Sequence, residues 1–257
     1  MLTLQDKVAI ITGASSGIGQ GTAILFSNLG SKLVISGRDD NALDATIRSC
    51  NANLKTEIIK VVGDVTDPEI RQQIVETAIE NFGKIDILVN GAGILKNDSI
   101  ENMEMENFDF IMNVNVKSII ALTQLCLPHI IKQKGSIVNV SSVAGTRSFP
   151  NVLGYCISKA ALDQFTKCVA LELADKGVRV NSVNPGVIVT DIHKRAGYTE
   201  EEFQKFLTRC KTTHALGRPG SVDEVANTIA FLASDSASFI TAELVHVDGG
   251  RHAMTPR

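Results

Sequence analysis

The sequence lacks the features that mark several large classes of protein. Its 257 residues carry a formal net charge of -3 with no cluster of lysine and arginine, so neither nucleic acid nor an anionic membrane is an expected partner. None of the five cysteines forms a C-x-x-C pair, and the five histidines show no ligand spacing, so no metal site is expected. Scattered, unpaired thiols are typical of a reduced, cytoplasmic protein.

Long apolar runs are also missing. The segment Met1–Lys7 lacks the charged and apolar regions of a signal peptide, and the most apolar stretch, Ile119–Ile131, is interrupted by Gln124 and Pro128. We therefore expect neither a signal peptide nor a membrane anchor. A hydrophobic share of 44% beside 21% charged residues is that of an ordinary globular chain, and its length suits a single α/β domain over residues 1–257.

Short β-branched runs alternate with longer segments of helical period. This alternation predicts a doubly wound parallel sheet of about seven strands with helices on both faces. Helices are predicted at Leu122–Gln133, Gly154–Lys176 and Val222–Ser234, with Asp67-Pro68 and Ser221–Glu224 as helix starts. The predicted strands are Val8–Thr12, Lys32–Ser36, Glu57–Val61, Ile85–Val89, Ser136–Val140, Arg179–Val183 and Leu244–Val247.

One segment, residues 191–213, interrupts this alternation. It is rich in charge and contains Tyr198, Phe203 and Phe206. We interpret it as a lid over a substrate.

A glycine-rich turn follows the first predicted strand and opens a helical segment. Free backbone N–H groups and the positive end of a helix dipole suit a pyrophosphate there, and glycines let it approach closely. The spacing is G-x-x-x-G-x-G, because Thr22 stands where the common G-x-G-x-x-G fingerprint has its third glycine. The turn predicts dinucleotide binding through Gly13, Ser15, Ser16, Gly17, Ile18 and Gly19.

The ends of the next three strands bear on which dinucleotide binds. Gly37-Arg38 offers an arginine and no carboxylate, which favours the 2′-phosphate of NADP(H), although Arg38 as a solvated surface residue is the alternative. Asp64 in Gly63-Asp64-Val65 is placed to accept from the adenine amino group. Asn90-Gly91-Ala92-Gly93 ends the fourth strand at the expected floor of the same crevice.

Tyr155 and Lys159 are one turn apart on a predicted helix, and Ser142 closes the fifth strand. A neighbouring ammonium favours the phenolate, so Lys159 is expected to bring the tyrosine pKa down from its ordinary value of ~10. That would make Tyr155 a competent general acid and base, with the Ser142 hydroxyl beside it. A Tyr-x-x-x-Lys pair alone carries little information, since helices contain many by chance.

Taken together, these residues resemble the short-chain dehydrogenase/reductase family in its compact single-domain form, similar to β-ketoacyl carrier-protein reductases and related carbonyl reductases. The likeness runs from about Lys7 to Gly250 and includes the thirteen-residue interval between Ser142 and Tyr155. It implies a Rossmann-type fold. The matching segments are Thr12–Gly19, Asp64, Asn90–Gly93, Asn115, Ser142, Tyr155 with Lys159, and Asn184-Pro185-Gly186 followed by Thr190.

The resemblance also implies roles for particular residues. Tyr155 would be the acid or base, Ser142 would polarise the substrate oxygen, and Lys159 would bind the nicotinamide ribose. Asn115 would hold a water that links Lys159 to solvent. Pro185, Gly186, Ile188 and Thr190 would complete the cofactor site, with Ile188 and Thr190 fixing the carboxamide.

The same resemblance implies a small-molecule carbonyl or alcohol as substrate and a homotetramer or homodimer as the assembly. An apolar ketone is expected, because the pocket would be bordered by Ile94, Leu95, Phe149, Leu153 and Ile188. Two alternatives stay open: an NAD-linked alcohol dehydrogenase of the same fold, which should carry an acid after the second strand, and a non-catalytic nucleotide-binding scaffold, which should have lost the serine, tyrosine or lysine.

Three positions depart from the family pattern. Gly91 stands where a second asparagine is usual, Asn184 where a small residue is more common, and Ala242 where glycine is usual. None of the three is the proposed acid, so the departures leave the expected activity intact.

Overall fold

The computed structural model describes residues 2–50 and 56–255. Their strands form one seven-stranded parallel sheet in the order β3-β2-β1-β4-β5-β6-β7, which confirms the predicted fold class. The ends of the predicted 1–257 domain and residues 51–55 lie outside the described residues. The strands are β1 Val8–Thr12, β2 Lys32–Gly37, β3 Ile58–Val62, β4 Ile87–Asn90, β5 Ser136–Val140, β6 Arg179–Pro185 and β7 Leu244–Val247.

Helices connect the strands and cover both faces of the sheet. They are α1 Gly17–Asn28, α2 Asp40–Ser49, α3 Pro68–Phe82, α4 Met105–Met112, α5 Ser118–Gln133, α6 Leu153–Leu173, α7 Ile192–Arg195, α8 Glu200–Thr213 and α9 Val222–Ala233. A π-helical turn, Asn113–Lys117, joins α4 to α5, and a 3₁₀ turn, Val143–Gly145, follows β5.

Local sequence explains where the helices begin. The Asp67 carboxylate caps α3 and Pro68 occupies its first position, as predicted. Ser221 and Glu224 form the predicted capping box at the start of α9. Each device satisfies backbone N–H groups that have no partner within the helix, so these starts are well defined by sequence.

Several predicted boundaries were wrong by a few residues. The strand predicted from Ile85 begins at Ile87, and the carboxylate of the preceding residue, Asp86, accepts from Val8 N–H. The helix predicted from Leu122 begins earlier and continues the run from Met105 through the π turn. Residues 191–213, interpreted as a lid, contain two helices, α7 and α8.

The core consists of two apolar layers, one on each face of the sheet. Successive β1 side chains alternate between them: Ala9 and Ile11 belong to one layer and Ile10 to the other. Leu33 and Val34 in β2 divide in the same way. Burial on both faces accounts for strands that are almost continuously apolar in sequence.

Within the described residues, one helical run is long and apolar enough to cross a membrane by length and composition, Met105–Gln133. Half of its most apolar window is buried inside the molecule, and the run packs against α3 and α6. This is the environment of a core helix in a doubly wound sheet.

Ala242, one of the three departures, adopts a left-handed backbone conformation with φ +65°, and its N–H donates to the Val180 carbonyl. An L-residue in this conformation is strained by about 1–2 kcal/mol, whereas glycine is not. We predict that Ala242→Gly raises the free energy of unfolding by about 0.5–1 kcal/mol, since the greater freedom of glycine in the unfolded chain offsets part of the relief. Urea denaturation measures the change.

The control for this prediction is Ala45→Gly in helix α2, where the same substitution relieves no strain. It should lower stability by about 0.5–1 kcal/mol. Equal effects of the two substitutions would contradict the assignment of strain to residue 242.

Candidate active site

A cleft of about 1150 Å³ lies at the carboxyl ends of the strands. Its walls come from the loops after β1, β2, β3 and β4 on one side, and from the loops after β5 and β6 with α7 and α8 on the other. The chain reverses its direction of winding between β1 and β4, and the crevice above such a reversal is where open α/β sheets bind ligands.

The turn after β1 is shaped to receive an anion. Gly13 and Gly17 have positive φ values of +70° and +56°, and an added Cβ on Gly19 would lie 2.3 Å from the Gly13 carbonyl oxygen. Ser16 caps α1 without a side-chain hydrogen bond, and the first turn of the helix carries no acidic residue. The backbone N–H groups and the helix dipole therefore face the cleft without a competing carboxylate.

Arg195, at the end of α7, reaches this turn from the opposite wall. Its guanidinium donates to Ser16 Oγ at 2.9 Å. The contact adds a positive charge beside the phosphate-binding turn. Sequence reasoning missed Arg195 because a contact across 179 positions leaves no local signal.

The ends of β2 and β3 bring Arg38 and Asp64 together. Arg38 Nη1 lies 3.8 Å from Asp64 Oδ2, and the arginine side chain is 60% exposed. The other Asp64 oxygen accepts from the N–H and the hydroxyl of Thr66. Asp64 is thus held in place by Thr66 while Arg38 stays free to turn toward a ligand.

The loop after β4 is joined to β1 through one hydroxyl. Thr12 Oγ1 accepts from Gly91 N–H at 3.1 Å and from Ala92 N–H at 3.2 Å. An added Cβ on Gly91 would lie 2.6 Å from the Thr12 carbonyl oxygen, so only glycine fits this arrangement without movement. This explains the departure at position 91.

Asn90 does not line the cleft. Its amide donates to Asn139 Oδ1 at 2.8 Å and to Thr123 Oγ1 at 3.4 Å, below the cleft floor. The Asn90 side chain therefore faces away from the cleft, and the contact of Asn90 with the cofactor stays a prediction. Asn90 is the last residue of β4, and its side chain points between β5 and α5.

Tyr155 and Lys159 both face the cleft from the first two turns of α6. Lys159 Nζ lies 5.7 Å from the centre of the tyrosine ring and donates to the Val140 carbonyl at 2.8 Å. Burial raises the pKa of Tyr155 to about 12, against the opposing hydrogen bond from Ser142. Burial also lowers the pKa of Lys159 to about 8, with Asp163 opposing that change.

The expected fall in the tyrosine pKa was therefore wrong for this arrangement of the protein. Desolvation disfavours the phenolate and the ammonium alike, and it is the largest cause of both pKa shifts. At neutral pH Tyr155 is a protonated phenol. In that state it can donate a proton to a bound oxygen.

Ser142 lies beside Tyr155 at the start of the 3₁₀ turn. It is 8% exposed, and its hydroxyl oxygen accepts from Ala144 N–H at 3.1 Å. That contact uses a lone pair, so the hydroxyl proton can be donated either to the Tyr155 oxygen or to a ligand in the cleft. Ser142 and Tyr155 thus present two O–H donors to one region.

Asn115 lies in the π-helical turn, a feature frequent at functional sites. Its side chain bridges the backbone of Ile94, accepting from the N–H and donating to the carbonyl, both at 2.9 Å. Its amide also donates to Ser158 Oγ at 3.0 Å. Asn115 is fully buried beneath the cleft, close to Gly93 and Lys159, and it fixes the loop that forms the cleft floor.

The departure at Asn184 has a partner that sequence reasoning missed. Asn184 Nδ2 donates to both oxygens of buried Asp163, at 2.9 and 3.1 Å, and to the Ser142 carbonyl at 3.0 Å. Burial raises the pKa of Asp163, while hydrogen bonds from Ser141 and Asn184 oppose the change. Asn184 thus connects the end of β6 to the Ser142 loop and to the helix that carries Lys159.

Most of the predicted site residues meet in this cleft. Gly186 packs against Asp248, where an added Cβ would come within 2.9 Å, and Thr190 packs against Gly17. Of the expected substrate contacts, Leu153 is the one that does not line the cleft. The predicted residues that do line it are Gly13, Ser15, Ser16, Gly17, Ile18, Gly19, Arg38, Asp64, Val65, Gly91, Ala92, Ser142, Tyr155, Lys159, Pro185, Gly186, Ile188, Thr190, Ile94, Leu95 and Phe149.

Residues 2–50 and 56–255 contain no group of three His, Cys, Asp or Glu side chains that could hold a metal ion. The cleft thus combines a glycine-rich turn suited to a dinucleotide with the side chains of Ser142, Tyr155 and Lys159.

Comparison with known proteins extends this picture over nearly the whole chain. The profile of a protein family described as enoyl-(acyl carrier protein) reductase matches residues 13–252. The chain is 38% identical over 250 residues to the 3-oxoacyl-[acyl-carrier-protein] reductase FabG of Thermotoga maritima, covering 97% of this chain and 99% of that protein. It is 37% identical over 247 residues to the L-xylulose reductase of Caenorhabditis elegans, covering 95% of each.

Solved structures agree. A short-chain dehydrogenase/reductase of unknown function from Caenorhabditis elegans, solved with cofactor, is 35% identical with a TM-score of 0.90 and covers 98% of this chain and 97% of its own. Levodione reductase is 29% identical with a TM-score of 0.91, covering 98% and 99%.

The Asn184–Asp163 contact generates a prediction about stability. Asn184→Ala removes the amide that serves a buried carboxylate and a buried carbonyl, so the free energy of unfolding should fall by about 1–3 kcal/mol in urea denaturation. In an Asp163→Ala background, Asn184→Ala should lower the free energy of unfolding by less, because the carboxylate that accepts from Asn184 is gone.

Asn41→Ala at the exposed start of α2 is the matched control, with an expected change within about 0.5 kcal/mol. An Asn184→Ala protein as stable as the original would refute the supporting role of Asn184.

Proposed function

The chain belongs to the short-chain dehydrogenase/reductase family, and from this membership we propose that it transfers a hydride between NADP(H) and a carbonyl compound or the matching secondary alcohol. The observation that carries the proposal is the meeting of Ser142, Tyr155 and Lys159 in the same cleft as the phosphate-binding turn. A non-catalytic nucleotide-binding scaffold has no need of that set.

Two O–H donors at one point favour an oxygen as the reacting atom of the substrate. Ser142 and Tyr155 can both donate to a carbonyl oxygen, which polarises the C=O bond and stabilises the negative charge that develops on oxygen. Several relatives have names that specify reduction of a keto group, among them the 3-oxoacyl-[acyl-carrier-protein] reductases and L-xylulose reductase. Their substrates differ, so these names support the reaction class and not one substrate.

Proton transfer is assigned to Tyr155. With its pKa raised to about 12 by burial, the phenol holds its proton at neutral pH and gives it to the substrate oxygen during reduction. A dinucleotide held at the Gly13–Gly19 turn would supply the hydride in this direction, and its oxidised form would add a positive charge that favours the phenolate needed for alcohol oxidation. Lys159, with a pKa of about 8, can lose and regain a proton near neutral pH and so restore the proton on Tyr155.

The cofactor fits the residues on the β1–β4 side of the cleft. The turn at Gly13–Gly19 and the guanidinium of Arg195 would hold the pyrophosphate, and Lys159 would bind the nicotinamide ribose. Arg38 would meet the 2′-phosphate, because its only acidic partner among the described residues is Asp64 at 3.8 Å. Asp64 would accept from the adenine amino group.

The remaining assignments are part of the same proposal. Asn115 supports the proton path by fixing the floor beside Lys159, and a water there would complete the route to solvent. The carbon skeleton of the substrate would lie against Ile94, Leu95 and Phe149, which suits a ketone with an apolar portion. The lid at 191–213, the homotetramer or homodimer and the cytoplasmic location stay predictions.

Tyr155→Phe tests the acid. The substitution keeps the ring and deletes the transferable proton, so kcat for ketone reduction should fall on the order of 10²–10⁴-fold while NADPH binding changes little. The absorbance of NADPH during turnover measures kcat, and calorimetric titration of NADPH measures its affinity. Lys159→Ala should damage both rate and binding, because it removes a ribose contact as well.

The control is Tyr198→Phe, which removes the other tyrosine hydroxyl of the chain. It should leave kcat within a few-fold of the original. A Tyr155→Phe enzyme of near-normal kcat would remove Tyr155 from the acid role.

Arg38→Gln tests the choice of cofactor. A partly exposed charge-assisted contact contributes roughly 1.5–3 kcal/mol, so the variant should lose about tenfold to hundredfold in NADPH affinity and little in NADH affinity. The double change Gly37→Asp with Arg38→Leu should invert the preference, although the new Cβ would press on Ser15, 3.0 Å away.

Arg48→Gln, an exposed arginine outside the cleft, is the control and should alter neither affinity. Equal binding of NADH and NADPH by the unmutated protein would move the NAD-linked alternative ahead.

A further inference from the structure

The substrate half of the cleft carries an excess of positive charge. Arg147, Arg209 and Arg251 line it, and among the residues that the structure describes the one acidic side chain on this wall is Glu202. Glu202 is already engaged, since its carboxylate accepts from the N–H and the hydroxyl of Thr199 in the capping box of α8. Three arginines beside one glutamate leave this half of the cleft with a net positive charge.

Arg147 has a structural task. Its guanidinium donates to the carbonyls of His252 and Met254, at 2.8 and 3.2 Å. These two bonds hold the segment after β7 across the mouth of the cleft. The consequence is that Arg251, the first residue of that segment's 3₁₀ turn, is fixed beside the substrate wall.

Arg251 has no ion-pair partner among the residues that the structure describes. Its guanidinium lies 4.6 Å from the centre of the Phe149 ring, and within residues 2–50 and 56–255 it makes no hydrogen bond and no ion pair. Nearby Asp248 is occupied, because its carboxylate accepts from the N–H groups of Gly250 and His252 and contacts the His252 ring.

A half-buried guanidinium without an anion is unfavourable in the empty protein. Burial lowers the pKa of Arg251 and repulsion by Arg209 adds to the fall, while Cys210 and the carboxylate of Asp248 oppose it without reversing it. Binding of an oxyanion would recover the lost interaction, and the flat guanidinium held on an aromatic face is well suited to two parallel hydrogen bonds. The arrangement is therefore better explained by a bound anion than by stability.

His193 provides a second polar group on the same wall. Its ring packs against Phe206 at 4.5 Å and Tyr198 at 5.5 Å between centres, and its buried Nδ1 has no hydrogen-bond partner among the described residues. Burial, with the nearby charge of Arg251, lowers the pKa of His193 to about 4. The imidazole is therefore neutral and can donate one hydrogen bond and accept another.

We propose that this half of the cleft contains a subsite for an oxyanion on the substrate, in which Arg251 on Phe149 binds the anion and His193 binds a polar atom beside it. The inference rests on the proposed carbonyl-reductase function and narrows its substrate class. The substrate then has an apolar body, a carbonyl that meets Tyr155 and Ser142, and a carboxylate or phosphate farther along.

The first experiment compares matched substrates. In the first pair, a methyl ketone is compared with a keto acid of equal chain length that ends in a carboxylate. In the second pair, acetoacetyl coenzyme A is compared with the acetoacetyl thioester of N-acetylcysteamine, which lacks the phosphates. The unmutated enzyme should prefer the anionic member of at least one pair, and the pair that responds identifies a carboxylate or a phosphate as the anion. High salt should weaken the preference.

The second experiment removes the charge. Arg251→Gln should lower kcat/KM for the preferred anionic substrate about tenfold to hundredfold, mainly through KM, and change the neutral partner by less than about threefold. Arg251→Lys keeps the charge without the planar guanidinium, so its kcat/KM for the anionic substrate should lie between those of the unmutated enzyme and Arg251→Gln. His193→Phe keeps the ring packing and should cause a smaller loss confined to the anionic substrate.

Arg48→Gln is the matched control, because it deletes an exposed arginine outside the cleft and should leave the preference unchanged. Circular dichroism and thermal melting of Arg251→Gln verify that the fold is retained. If the neutral and anionic substrates lose activity equally, or if the unmutated enzyme shows no anionic preference in either pair, the subsite is refuted while carbonyl reduction stands.

A readout independent of turnover separates this inference from the proposed function. Calorimetric titration of the keto acid and of acetoacetyl coenzyme A into protein saturated with NADP⁺ should show binding of at least one that Arg251→Gln weakens about tenfold or more. Should no carbonyl compound be reduced, such binding would still support the subsite although the proposed activity had failed. Absence of binding by both anions would overturn the subsite.

Discussion

The contact of three backbone segments at the carboxyl edge between β1 and β4 is the constraint on which the rest of the cleft depends. The turn at Gly13, the start of α1 near Gly19 and the loop at Gly91 approach so closely that an added Cβ at any of these positions would lie within 2.8 Å of backbone atoms. The Thr12 hydroxyl then joins β1 to the β4 loop. This packing aims the first turn of α1 into the cleft and sets the floor opposite Tyr155.

Burial determines the chemistry of the central groups. Tyr155 and Lys159 are removed from water together, so both neutral forms are favoured: the pKa of the phenol rises to about 12 and that of the lysine falls to about 8. The polar atoms around them are nevertheless satisfied, through Val140 for Lys159 and through Ala144 for Ser142. The site holds a protonated acid next to a lysine able to exchange protons near neutral pH.

The departures from the family pattern fall into two kinds. Gly91 and Asn184 are explained by neighbours: the first lies against the Thr12 carbonyl, and the second serves the buried Asp163 carboxylate together with the Ser142 carbonyl. Ala242 packs against one apolar layer of the core, yet it sits in a left-handed conformation that glycine would adopt without strain. A polar pair such as Asn184 with Asp163 is stable in the core because each member satisfies the other.

Much of this protein was readable from local pattern. The seven strands, the helix starts at Asp67 and Ser221, and the glycine turn follow from periodicity, capping and backbone freedom, which act over a few residues. The Tyr155–Lys159 spacing likewise assigns both residues to one helix face, Ser142 follows from its place at the end of the fifth strand, and the resemblance to a known family supplied Asn115. Boundaries of elements such as β4 and α5 were less certain, because contacts from other elements decide where they stop.

Tertiary structure alone decided what lies far apart in sequence. It brought Arg195 to Ser16 and Asn184 to Asp163, turned Asn90 away from the cleft, and left Arg251 on Phe149 without an acidic partner among the described residues. It also reversed the expected direction of the Tyr155 pKa. The physical reason is the same in each case: solvent exclusion and charge partners depend on which side chains the fold packs together, and a one-dimensional spacing does not contain that information.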